Sequence, residues 1–211
     1  MPSQAGPPRR PGLHQHPAAT FIVGRAADFA MTTSAPGARV TVAGRVPAGL
    51  TFLAGGGAEL GGLPAAGTAG HYLLTVSARD TGGHAAQLLA LTIMQLPRFG
   101  RRPAIVATAG VFTSTPVPVT GFPAAAVTES GALPAGLQFR VLPNGTAVIS
   151  GIPAAPGMTE TRTITLTAAN AAGVVRQPVS VTVVQPAPPP MMPPPPPMMT
   201  PPPMMGRHSA P

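Results

Sequence analysis

Five residues of this chain carry a carboxylate: Asp28, Glu59, Asp80, Glu129 and Glu160. Asp80, in Ser77-Ala78-Arg79-Asp80-Thr81-Gly82-Gly83, is the one to weigh as a metal ligand. Calcium takes about six to eight oxygens, largely from carboxylates. So small and scattered a set makes calcium a weak candidate cofactor. A turn fits the same residues, because an Asp side chain bonds the backbone two residues on. Asp80 and His84 could form an acid–base pair, but no Ser beside them reads as a nucleophile. There is no Gly-x-Ser-x-Gly elbow, no Gly-rich phosphate loop with Lys and no Cys. His14 and His16 have the spacing of a metal tract without a third ligand. No catalytic residue is expected, and the chain reads as non-enzymatic.

The net charge of +8 comes wholly from Arg, since Lys is absent. Arg98, Arg101 and Arg102 form the one local cluster and are a candidate interaction site. A basic chain attracts polyanions in general. With 4% aromatic residues and no reading helix, nucleic acid is not expected as a partner. The other candidate interaction residues are Met191, Met192, Met198 and Met199, set between runs of Pro. Such a segment is an extended polyproline II rod. It reads as a ligand for an aromatic groove, as a Met-rich adhesive patch, or as a spacer.

No Cys means no disulfide, and this leaves the compartment open. No stretch approaches the ~20 apolar residues of a membrane span. Residues 1–17 are followed by an apolar run too short for a signal peptide. Three readings stay open: an internal protein, a start upstream of Met1, or export by another route.

The elements that must position these residues come in two copies. Val46-Pro47-Ala48-Gly49-Leu50-Thr51-Phe52 is followed by Gly62-Leu63-Pro64-Ala65-Ala66, and Leu133-Pro134-Ala135-Gly136-Leu137-Gln138-Phe139 by Gly151-Ile152-Pro153-Ala154-Ala155. Ala78 to Gly83 matches Ala168 to Gly173, which sets Asp80 against Asn170. Pro47 and Pro134 fix φ at a strand entrance, and Gly49 and Gly136 let the chain bend. Leu50, Phe52, Leu137 and Phe139 are expected to point inward. Gly151 and Pro153 end a strand and turn it.

The local hydrophobic period is two. Tyr72, Leu74, Val76 and Ala78 share one face, as do Ile164, Leu166 and Ala168. Leu89, Leu91 and Ile93 repeat as Val179, Val181 and Val183. Alternation with β-branched residues predicts half-buried strands. About seven per unit are expected, with those of the second unit centred near 105, 113, 127, 139, 148, 166 and 180. Pro116, Pro118 and Pro123 push the second of these to an irregular edge. Pro143-Asn144-Gly145 predicts a tight turn, with positive φ at Asn144 and Gly145. His71 and His84 read as exposed turn residues.

The ordered set Val106-Ala107-Thr108-Ala109-Gly110, Leu133-Pro134-Ala135-Gly136-Leu137, Asn144-Gly145-Thr146-Ala147, Ser150-Gly151-Ile152-Pro153-Ala154 and Ala168-Ala169-Asn170-Ala171-Ala172-Gly173 resembles the bacterial Ig-like repeat related to dystroglycan-type, cadherin-like domains. The resemblance spans nearly all of the second unit, and the first is similar to a divergent copy. It implies two tandem Ig-like antiparallel β-sandwiches in a surface, secreted or multi-domain protein. It also implies spacer, adhesive or accessory roles, and calcium between domains in some relatives. The Cys…Trp…Cys hallmark of antibody domains is absent.

The expected organisation is a disordered tail over 1–17, a first sandwich over 18–96, a linker over 97–103, a second sandwich over 104–185 and a disordered Pro/Met-rich tail over 186–211. The expected function is a structural or adhesive module binding protein or a surface polymer by surface contacts. Two alternatives are an intracellular protein recruiting a partner through its tail and a calcium-dependent adhesion module. A carbohydrate-binding accessory is disfavoured, because Tyr72 is the only Tyr and there is no Trp.

Overall fold

The computed structural model describes residues 10–35, 37–54, 58–100, 104–155 and 157–186. Every regular element among them is a strand. The first domain holds β1 (Ala18–Ile22), β2 (Ala27–Met31), β3 (Arg39–Ala43), β4 (Leu50–Leu53), β5 (Ala58–Gly62), β6 (Gly70–Asp80) and β7 (Gly83–Phe99). The second holds β8 (Ala104–Thr108), β9 (Thr113–Val117), β10 (Val119–Phe122), β11 (Ala126–Ser130), β12 (Leu137–Val141), β13 (Ala147–Gly151), β14 (Glu160–Asn170) and β15 (Gly173–Val184).

Each domain is a sandwich of two sheets, and the strand orders repeat. The first pairs β1-β7-β6-β3 against β2-β5-β4; the second pairs β8-β15-β14-β11 against β9-β13-β12. The sandwiches are not wholly antiparallel. β1 runs parallel to β7, and β8 parallel to β15. The chain changes sheets between β1 and β2, so β1 enters alongside the last strand rather than opposite a hairpin partner. Pro116 sits in β9, an edge strand, where a missing N–H costs no ladder bond.

Period-two alternation decides the core. Leu74, Val76 and Ala78 of β6 are buried with Leu89, Leu91 and Ile93 of β7, and Leu60 and Met31 meet them from the other sheet. In the second domain Ile164, Leu166, Ala168, Val179, Val181 and Val183 face Ala147 and Ile149. Each large buried aliphatic contributes about 1.5–3 kcal/mol. Tyr72 is half-buried, and its hydroxyl donates to the Thr68 carbonyl at 2.8 Å.

The repeated stretch is one crossing of two chain segments, made twice. Gly49 and Gly136 have φ of +86° and +87°. A Cβ at Gly49 would overlap the Leu63 carbonyl oxygen, and one at Gly136 the Ile152 carbonyl oxygen. Ala65 N–H donates to Ala48 O at 3.0 Å and Ala154 N–H to Ala135 O at 2.9 Å. Gly24 N–H and Gly110 N–H donate to Pro64 O and Pro153 O, each at 2.9 Å. Pro47 and Pro134 are buried with Leu50 and Leu137, while Phe52 and Phe139 are half-buried against the cores. The same crossing brings Gly151 onto the Gly136 carbonyl.

The turn at 142–145 takes a type I form. Gly145 N–H donates to Leu142 O at 2.8 Å, and only Gly145 has positive φ. Asn144 stays at negative φ and accepts from Thr146 N–H at 3.0 Å, which replaces the expectation of two positive-φ residues. His71 lies within β6 rather than in a turn.

Two expected segments come out differently. Residues 10–17 are not a free tail: Leu13 packs on the first core and bridges Thr33, and Pro11 and Gln15 are buried. The linker does not start at 97, because Pro97, Arg98 and Phe99 are the last residues of β7. Arg101 and Arg102 lie outside the described residues. So do Met191, Met192, Met198 and Met199 and the rest of the Pro/Met-rich segment from residue 187.

Candidate functional site

The end of β7 leaves the first domain and joins the second. Val119 pairs with Phe99, Thr120 with Arg98 and Phe122 with Gln95, in an antiparallel ladder between β10 and β7. Gly100 N–H extends it, donating to Pro118 O at 2.9 Å. Phe99 packs against the core of the second domain, and Pro97 is buried. The first sandwich has no named strand in the place of β10, and β10 pairs only with β7. Of the Arg cluster, Arg98 offers the joint its backbone: its carbonyl accepts from the Thr120 hydroxyl at 3.4 Å. Its side chain is exposed.

Asn170, the last residue of β14 before the turn into β15, pins this joint. Its amide nitrogen donates to Gln95 O and to Pro123 O, both at 2.8 Å. Its oxygen accepts from Ala172 N–H at 2.9 Å and from Gly173 N–H at 3.3 Å. One side chain therefore closes its own turn and holds both domains. A net contribution of about 0.5–1.5 kcal/mol per bond applies to the two donated bonds. On the other side His71 meets Phe122 edge-on, ring centroids 5.1 Å apart and planes at 72°. Its Nδ1 lies 3.1 Å from Thr92 Oγ1. Gly121 lets this corner close: a Cβ there would stand 3.1 Å from Asn170 Nδ2 and 3.2 Å from Pro97 Cα.

Asp80, the counterpart of Asn170, accepts from Gly82 N–H at 2.7 Å. That is the turn the sequence allowed. Among the described residues no three His, Asp or Glu side chains gather to hold a metal. The donor set around Asp80 does not fit calcium.

Beside β10 lies an open cleft of about 430 Å³, bounded by Val117, Val119, Ala125 and Thr146. No ionisable side chain lines it, so it offers no acid, base or charged nucleophile. Basic groups converge elsewhere. On the outer face of the first domain Arg39 stands opposite Arg79, and Arg79 opposite His84. No sequence spacing marks that row, because it is made by strand register across β3, β6 and β7. Among the described residues the ion pair is Arg162 with Glu160, at 2.6 Å, well away from this row. No helix of the described residues is long and apolar enough to cross a membrane.

No protein-family model matches the chain, and no curated protein sequence does. Solved structures do match. An I-band fragment of titin covers 83% of this chain at 19% identity, with a TM-score of 0.54. The fold is that of tandem Ig-like domains. Domains 1–4 of sidekick-1 cover 82% of the chain at 18% identity with a TM-score of 0.56. Hemolin, an insect immune protein, covers 87% at 18% identity with a TM-score of 0.57. The chain spans 66% of the titin fragment, 48% of the sidekick-1 fragment and 49% of hemolin. At these identities the likeness is one of fold.

Proposed function

We propose that this tandem Ig-like protein is a non-enzymatic structural or adhesive module. It holds two domains at a fixed angle, and it spaces or presents partners through surface contacts. The observation that carries this is the strand β7, which begins in the first domain and ends paired with β10 and packed, through Phe99, on the core of the second. A hinge would need a solvated connection, whereas here the backbone is paired and Pro97 is buried. The cleft without ionisable groups supports a binding role rather than a catalytic one. The repeat motifs support a bacterial surface or secreted setting, with a protein or a surface polymer as partner. Fold alone does not assign function, so the reading rests on the joint and the motifs together.

Two measurements test it. Nitrogen-15 relaxation on the full chain should fit one rotational tensor for both domains. Beads coated with the chain should be retained on surfaces bearing protein or polysaccharide if the module is adhesive. Rigid tumbling without retention leaves the spacer role. Independent tumbling without retention sinks both.

A further inference from the structure

The segment before β1 takes the place in the first domain that the end of β7 takes in the second, position for position. Leu13 bridges Thr33 in the first domain as Phe99 pairs with Val119 in the second. His14 N–H donates to Thr32 O at 3.0 Å as Gly100 N–H donates to Pro118 O at 2.9 Å. Pro11 and Pro97 are both buried. Leu13 packs against the first core and Phe99 against the second. Arg10 lies against Gly83 where Leu96 lies against Gly173: a Cβ on these glycines would stand 3.1 Å from Arg10 Cγ and 2.7 Å from Leu96 Cδ2. Each domain therefore has the same groove, running from the chain after its second strand to the tip of its long hairpin. In the second domain the groove holds the exit strand of the first. In the first it holds residues 10–14.

The two occupants are held unequally. Asn170 donates to the strand in the second groove, but Asp80 stands in its place in the first and has no amide to donate. Gln15, the residue following the first occupant, is buried with neither side-chain polar atom hydrogen-bonded. An unsatisfied buried amide weakens the packing that buries it.

We propose that the groove of the first domain is a docking site for the exit strand of another Ig-like unit, with residues 10–14 an exchangeable occupant. The partner is an extended segment with Pro followed two residues later by a large apolar side chain, the pattern of Leu96-Pro97-Arg98-Phe99-Gly100. It binds by adding a strand, main chain to main chain, with the apolar residue entering the core edge. The inference rests on the joint geometry and is independent of any adhesive role.

The probe is a fluorescent peptide of residues 92–100, titrated by anisotropy against the full chain. Leu13→Asp loosens the occupant by placing a charge at the core edge. Gly12→Pro loosens it differently, by removing the N–H that donates to Ser34 Oγ at 2.6 Å. Either variant should bind the peptide at least tenfold more tightly than wild type. Adding Ser34→Pro, which removes the groove N–H that donates to Gly12 O at 2.9 Å, should return binding to the wild-type level. A peptide with Phe99→Asp should lose the gain. Amide spectra report that the first domain stays folded in each variant. No gain in both loosened variants overturns the proposal, and so does a gain that survives Ser34→Pro.

Discussion

The Asn170 amide donates to the carbonyl of Gln95, 75 positions earlier, and this bond at 2.8 Å ties the tip of one sandwich to the exit strand of the other. The same nitrogen reaches Pro123 O, so it joins β7 to the segment following β10. Asn170→Ala removes both bonds together with the two that its oxygen accepts in its own turn, and leaves two carbonyls and two N–H groups to find water. A cost of about 1–3 kcal/mol in denaturant unfolding is the expected result. Asn170→Asp keeps the turn acceptor but turns an oxygen toward two carbonyls, and should cost at least as much. Relaxation data should then fit separate tensors for the domains. Wild-type stability and joint tumbling in both variants would contradict the role given to Asn170.

The crossing at Gly136 leaves no room for a side chain. Gly136→Ala forces an L-residue into the left-handed region and drives its Cβ onto the Ile152 carbonyl. The two penalties together should lower stability by about 2–4 kcal/mol. Gly145→Ala serves as the comparison, having φ of +81° with nothing within 4 Å of the added Cβ. It should cost about 1 kcal/mol. Equal losses in urea titrations would mean that backbone conformation, not contact, dominates at Gly136.

Arg39 and Arg79 face each other across β3 and β6 with His84 next in the row. Like charges directly opposite destabilise a sheet by about 0.2–1 kcal/mol. Arg79→Thr removes the repulsion and supplies a good strand former, so stability should rise by about 0.5 kcal/mol. The gain should shrink as salt screens the pair. A loss of stability at low salt would show that the Arg79 stem contributes more by packing than its charge costs.

Asp80 already spends its carboxylate on the Gly82 N–H. Thermal melting in calcium and then in chelator should show the same midpoint. A calcium-dependent rise that Asp80→Asn abolishes would restore the cadherin-like metal site.

The sequence by itself determined the sandwich and its duplication. Strict alternation in β6, β7, β14 and β15 sorted core from surface, because a strand's side chains have only two directions. The recurring Pro-Ala-Gly-Leu and Gly-Leu/Ile-Pro stretches marked the two crossings, because only glycine fits where backbones touch. The joint was decided by tertiary structure alone. Pro97-Arg98-Phe99 has the composition of a connector, and it becomes strand only because β10, a non-local partner, supplies the ladder. Pro11-Gly12-Leu13 lay within an apparent tail, since three residues are too few to show a period. Asp80 and Asn170 are interchangeable as turn residues, and the difference appears only when a second domain brings carbonyls within reach of the amide. Local chemistry fixes how a strand turns; which groups meet across a domain boundary depends on backbones far apart in the chain.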